Sequence, residues 1–267
     1  MVPLVARSHF SLMQGVGSPE ELLQAARRLG YRRLALTDTD NLYGLWEFLE
    51  ACRREDLPSA PLIGAEITEP ETSRRAVLLV ENELGFSNLC RVLTCRHLGP
   101  APFKMEAVVR KYAAGLTVLT ANLELLAAWR DAGLHLAASV SRRPGAGFHE
   151  LRQAARRLDV PLAVVPDSCF LEAGDYEVHR VLRAIALNTA LSRLRPEDLC
   201  PPDAWLAGPG EYARRFDICP EAVAASEALA ERCAFTGPDT QTLFPSWRGA
   251  EGQTAAAGRE KIGRAHV

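Results

Sequence analysis

Three carboxylates stand where short apolar runs end: Asp38 after Leu34-Ala35-Leu36-Thr37, Glu66 after Leu62-Ile63-Gly64-Ala65, and Asp167 after Leu162-Ala163-Val164-Val165-Pro166. In a barrel of alternating strand and helix, the C-terminal strand ends share one mouth, so side chains at such positions converge. Three carboxylates in one cleft repel each other, and their pKa values rise unless cations or hydrogen-bond donors compensate. That is the usual signature of a hard-metal site, and the three carboxylates here read as a residual divalent-metal pocket (Zn, Mn or Mg). His9, Cys169 and His179 are weaker candidate donors to the same pocket, with Asp40 close by. A single Cys at the end of an apolar strand is more often a small packed residue than a ligand. The same residues admit a chemistry without metal, in which Asp38 and Asp167 cap the loops or helices after them and Glu66 pairs with an arginine such as Arg7. Arg7 weighs toward that second chemistry, because its permanent charge repels a cation and can stand in for one.

The elements that must position these groups alternate along the chain. Ser18-Pro19-Glu20-Glu21 is a helix start: Ser18 can cap free amides, Pro19 suits the first helical position and Glu21 can close a capping box. That helix should run to Leu29, with Gly30 as its left-handed stop. Strands are expected at 34–37, 61–66, 76–80, 116–120, 134–138 and 161–165, after a first strand beginning at Pro3. Helices are expected at 45–55, 85–97, 123–130, 148–158 and 176–191. Strand followed by helix, repeated about seven times, argues for a parallel sheet covered by helices. From Pro196 onward only helices are expected, at 209–216 and 220–233, each opened by a proline.

Several blocks carry a family resemblance. The first strand region Pro3–Gly15, the segment Leu34–Gly44 with Asp38-Thr39-Asp40, the strand end Ile63-Gly64-Ala65-Glu66, the stretch Glu83–Arg91 and the stretch Asp175–Leu182 occur in the order of the polymerase and histidinol phosphatase (PHP) domain. The version they resemble stands at the N-terminus of bacterial DNA polymerase III alpha subunits, and the resemblance spans roughly residues 2–245. It implies a distorted (β/α)7-type PHP barrel followed by a small helical segment, closed in a way periodicity alone does not reveal. It also implies a metal cluster held by a His-x-His pair on the first strand, Asp-His after the second and Asp-x-His near the last. This chain has Val5 and Arg7 at the first pair, Thr39 after Asp38 and Cys169 after Asp167. Gln14 and Ala137 stand at further ligand positions. With so many donors replaced, the resemblance implies a degenerate site: Asp38, Glu66 and Asp167 are residual metal candidates, catalytic residues are absent and no cofactor is required.

Composition narrows the class further. The 267 residues, 48% of them hydrophobic, can bury one large core. A net charge of −2 gives no global case for coating nucleic acid. Arginine pairs such as Arg27-Arg28, Arg74-Arg75 and Arg156-Arg157 read as solvated faces. Seven cysteines with no C-x-x-C pair argue against a disulfide framework or zinc finger and fit a reducing cytoplasm. No apolar run reaches the ~18 residues of a membrane span, and no signal-peptide layout opens the chain. P-loop, G-x-G-x-x-G, G-x-S-x-G and H-E-x-x-H motifs are missing.

The expected organisation is a PHP barrel over 1–195, a helical extension over 196–248 leading toward a polymerase palm, and a tail over 249–267. The tail's closing Ile262–Val267 reads like translated adapter sequence, so the chain is expected to be the front piece of a longer protein. The resemblance implies the N-terminal domain of a DNA polymerase III alpha-like DNA-directed DNA polymerase, serving replication or repair synthesis as a structural scaffold. Its implied partners are the palm and thumb of the full-length chain, DNA through that chain, and a proofreading or clamp subunit. Two other readings stand beside it: a metal-dependent phosphoesterase or 3′–5′ exonuclease of the same family, and a free-standing interaction module.

Overall fold

The computed structural model describes residues 1–54, 60–70, 72, 74–141 and 147–239; the expected tail at 249–267 lies outside them. Helix α1 (Pro19–Arg28) begins as its sequence requires. The Glu21 amide donates to Ser18 Oγ at 3.1 Å, and the Ser18 amide donates to the Glu21 carboxylate at 2.8 Å. Those bonds, led by the one from the Ser18 backbone, hold the Glu21 carboxyl below its ordinary value. Leu22, Leu23, Ala25 and Ala26 are buried along one face, and Gly30 ends the helix at φ +83°.

Strand β1 (Arg33–Leu36) is followed by α2 (Leu45–Arg53), β2 (Ala60–Thr68) and β3 (Arg75–Val80). Next come α3 (Glu83–Leu98), α4 (Met105–Tyr112), β4 (Leu116–Thr120), α5 (Leu123–Arg130), β5 (His135–Val140), α6 (Phe148–Leu158) and β6 (Leu162–Val164). Helix α7 (Asp175–Ala186) stops more than one turn before the expected Leu191. Two 3₁₀ turns (Leu191–Arg193 and Pro196–Asp198), α8 (Pro209–Arg215) and α9 (Pro220–Arg232) complete the described elements.

The six strands form one sheet in the order β1-β2-β3-β4-β5-β6. It is not the parallel sheet that the alternation suggested. β1–β2, β4–β5 and β5–β6 are parallel, but β3 runs antiparallel to both β2 and β4. Only residues 69–74 separate β2 from β3, too few for the crossover that a parallel neighbour demands. The segment at Pro3 is also no regular strand. It bridges the two edges of the curled sheet, since the Ala35 amide donates to Pro3 O at 3.0 Å and Thr37 N to Ala6 O at 2.9 Å on one side. On the other side Arg7 N donates to Ser168 O at 2.9 Å. Residues 3–7 thus act as the seam of a barrel-like curl, whose wall holds six strands among the described residues.

Strand alternation sends one set of side chains inward. Val5, Ala35, Leu62, Val77, Leu79, Leu119, Ala137, Ala163 and Val165 form an inner apolar cluster, joined by Ala230 and Cys233 at the end of α9. The opposite faces of the strands contribute to a larger core with the surrounding helices, in which Trp129 is fully buried. Helix α9 is tied to the wall by Ser226 Oγ, which donates to Val164 O at 2.9 Å. The Arg33 guanidinium donates to the carbonyls of Ala230 and Cys233 at the C-terminal end of that helix. Residues Met1–Gly237, the helices after 195 included, belong to one compact unit.

Candidate functional site

Arg7 is the centre of the strand-end mouth. It carries a permanent charge and yet is 1% exposed. Its Nη2 and Nε donate to the two Glu66 carboxylate oxygens at 2.8 and 3.2 Å, and its Nη1 donates to Asp167 Oδ1 and faces Cys169 Sγ at 3.7 Å. Burial would depress the guanidinium, yet the charge of Glu66, together with the sulfurs of Cys169 and Cys200, outweighs it and raises Arg7 above its ordinary value. Glu66 accepts further bonds from Thr39 Oγ1 at 3.1 Å and Arg75 Nη1 at 3.3 Å. The expected Glu66–Arg7 pair is therefore present, and the same guanidinium also takes Asp167, which was expected to cap a loop.

Asp38 belongs to a separate network. Its carboxylate accepts from Ser8 N at 2.8 Å, Ser8 Oγ at 2.8 Å and Ser11 Oγ at 2.7 Å. Each hydroxyl is itself an acceptor, Ser8 Oγ from Phe10 N and Ser11 Oγ from Thr39 N, so both protons are directed to Asp38. The aspartate thus orders the loop at 8–11, which precedes it in sequence, instead of capping the segment after it. Burial lifts its carboxyl above the ordinary value, and the three donors only partly offset that lift.

The direction of that lift fixes a pH dependence. Because the folded-state value lies above the unfolded value of about 3.9, the carboxyl's contribution to stability is fully present below that value. It declines as pH rises through the folded one. Asp38→Ala should cost on the order of 2 kcal/mol, since the buried Ser8 amide loses its acceptor. Urea titrations from pH 4.5 to pH 8 should find the penalty shrinking as pH rises. A penalty that grows over this range would contradict the assignment.

The remaining candidates do not gather around a cation. His9 is exposed, with its ring against Phe10 at 4.5 Å. His179 is buried and both ring nitrogens meet backbone: Nε2 accepts from Cys200 N at 3.0 Å, so Nδ1 carries the proton and donates to Gln14 O at 2.8 Å. Cys169 is fully buried, with its sulfur 2.8 Å from that of Cys200. Asp40 is drawn away to Thr68 N at 2.8 Å and Arg96 Nη2 at 3.0 Å. Among the described residues, no three His, Cys, Asp or Glu side chains are placed to hold a metal ion.

Arg7, Glu66, Asp167, His179 and Cys200 line a cleft of about 920 Å³ at this mouth, rimmed by Arg74, Arg75 and Arg183. Three contributors escaped the sequence reading. Arg75 stood in a pair read as solvated, yet it reaches Glu66. Cys200 lies in an irregular stretch and carries no motif. The Tyr212 hydroxyl, raised by burial, meets Ser168 Oγ at 2.9 Å and accepts from Ala207 N at 3.0 Å, tying the strand-end loop to the segment after it. The sequence reading anticipated Arg7 as a partner of Glu66 but not that the same guanidinium also pairs with Asp167.

A curled mixed sheet flanked by helices, with its polar residues collected at the strand ends, defines an α/β barrel-like domain with a mouth site. The chain belongs to the PHP domain family, whose model matches residues 4–172. It is similar to an error-prone DNA polymerase of Anaeromyxobacter sp. (strain K), at 32% identity over 255 residues, covering 87% of this chain and 22% of that protein. It is also similar to DNA polymerase III subunit alpha of Bacillus subtilis (strain 168), at 26% identity over 284 residues, covering 95% of this chain and 25% of that protein. The chain thus spans about a quarter of the length of these relatives. A solved structure described as a metal-dependent phosphoesterase of Bifidobacterium adolescentis aligns over 62% of this chain and 86% of its own, at 17% identity and a TM-score of 0.44. Among the described residues no helix is long and apolar enough to cross a membrane.

Proposed function

We propose that this chain is the PHP domain of a DNA polymerase III alpha-like or error-prone DNA-directed DNA polymerase, and that it serves there as a scaffold with a degenerate metal site. The observation that carries the reading is the Arg7 guanidinium seated between Glu66 and Asp167. A metal centre requires anionic donors or imidazole nitrogens with free lone pairs. Here a cation is already supplied by the protein, and the His179 lone pair is spent on Cys200 N–H. Val5 and Ala137, at positions where the family resemblance implies ligands, are part of the inner apolar cluster. These residues do not fit a metal cluster, and no metal-activated water is assigned to the mouth.

On this reading the ion cluster fixes the shape of the mouth, which then supports the palm and thumb of the same polypeptide. DNA and a proofreading or clamp subunit are met through the full-length protein, in the cytoplasm. Nucleotide addition belongs to palm aspartates elsewhere in that polypeptide, where paired metals stabilise the attacking and leaving oxygens.

Two measurements test the proposal. The uninterrupted gene should continue into a palm with paired aspartates; an open reading frame without one would favour a free-standing module. The purified domain should melt at the same temperature with and without chelator, because a bound ion would stabilise by mass action. It should also leave a generic phosphate ester intact. Stoichiometric metal together with hydrolysis abolished by Glu66→Gln or Asp167→Asn would replace the scaffold reading with a hydrolase.

A further inference from the structure

Cys169 and Cys200 are 31 residues apart in sequence, yet their sulfurs lie 2.8 Å from each other, approaching the ~2.05 Å of a formed disulfide. Both backbones are held from outside the pair. Cys169 N donates to Ala204 O at 2.8 Å, and Cys200 N donates to His179 Nε2 at 3.0 Å. Phe170 and Ala204 close around them, and the Phe170 amide and carbonyl are bonded to Ala204 and Leu206 respectively. Cys169 is fully enclosed, whereas Cys200 lines the cleft at the mouth and is 7% exposed. Cys200 therefore borders the cleft and Cys169 lies behind it. A reactive thiol beside a resolving thiol is the arrangement that turns a transient oxidation into a disulfide.

We propose that Cys169 and Cys200 form a reversible disulfide that staples the strand-end loop bearing Asp167 to the segment beginning the helical extension. With hydrogen peroxide as oxidant, the Cys200 sulfur attacks one peroxide oxygen; the O–O bond breaks, water leaves and a Cys200 sulfenic acid forms. The Cys169 sulfur then attacks the Cys200 sulfur, the S–O bond breaks and a second water leaves with the Cys169 proton. Two thiols have lost two electrons and two protons, and one peroxide has become two waters. Dithiothreitol reverses the bond by thiol–disulfide exchange. Closing the bond requires the sulfurs to approach only from 2.8 Å to ~2.05 Å.

The test is oxidation of the folded full chain with a few equivalents of peroxide, followed by alkylation and peptide mapping. The free-thiol count is expected to fall by two from seven. Trypsin cuts after Arg180 and Arg183, so the two cysteines fall on different peptides and should appear as one cross-linked species. The melting temperature should rise on the order of 5 °C and return after dithiothreitol. Cys200→Ser and Cys169→Ser should each abolish the cross-link and the rise. Should either variant fail to fold, the wild-type map still decides. An unchanged thiol count, a link between other cysteines, or oxidation that dithiothreitol does not undo would overturn the proposal.

Discussion

Replacement of Arg7 by methionine is expected to destabilise the domain by about 3–5 kcal/mol, the cost of removing one member from a buried charge cluster. Methionine keeps much of the volume, so the loss is electrostatic rather than steric. Without the guanidinium, Glu66 retains bonds from Thr39 and the half-exposed Arg75, while Asp167, largely buried, loses its ion pair with Arg7. The pH dependence comes from the same geometry. Removing a buried cation raises the pKa of the carboxyls it paired with, so the variant is less impaired in acid and loses further stability as pH rises. Urea titration at pH 5 and pH 8 should find the larger deficit at pH 8. Adding Glu66→Gln and Asp167→Asn to Arg7→Met should recover a substantial part of the deficit, because a neutral cluster needs no cation. A deficit below about 1 kcal/mol, or no recovery in the triple variant, would mean that the guanidinium is not what holds the mouth together.

Gly85→Ala is expected to cost about 3 kcal/mol or more, lowering the melting temperature by roughly 6–10 °C. Gly85 lies in the first turn of α3, where its amide donates to the Asn82 cap at 3.0 Å. A Cβ built on it would stand 1.8 Å from the Gly115 carbonyl oxygen and 2.6 Å from its carbon. The clash is with backbone, and the Gly115 carbonyl is itself bonded to Glu81 N at 2.9 Å, so relief requires displacing the turn that feeds β4. This gives a physical reason for a glycine inside one of the blocks that carried the family resemblance. Gly30→Ala makes the control: its φ is +83° but nothing lies within 4 Å of the added carbon. The control should cost only the left-handed penalty of about 1–2 kcal/mol. Equal losses in the two variants would remove the close-approach explanation.

Much of this molecule was legible locally. Ser18, Pro19 and Glu21 specified the start of α1, since a capping box closes within four residues and needs nothing from the rest of the chain. Helix α6 spans the expected 148–158, and the prolines at 209 and 220 open α8 and α9. The strand orientations were not legible. An apolar run such as 76–80 reads the same whether its neighbours run with it or against it, and only the short 69–74 connection turns β3 around. Helix α4 also went unread: only Met105 and Val109 are buried on it, a thin stripe for eight residues.

By itself the sequence determined most of the helices and strands and the absence of imidazoles where the family resemblance implies them. These depend on residue type and on spacings of a few positions. Of the groups that meet, the sequence suggested only the Glu66–Arg7 pair; the tertiary structure decided the rest. Arg7 joins Glu66 across 59 residues and Asp167 across 160, and Cys169 finds Cys200 while Asp38 turns back to Ser8 and Ser11. The physical reason is that an ion pair or a sulfur contact depends on distances of a few ångströms set by how the sheet curls and closes. Helical and strand periodicities fix which face a side chain takes but carry no information on that closure.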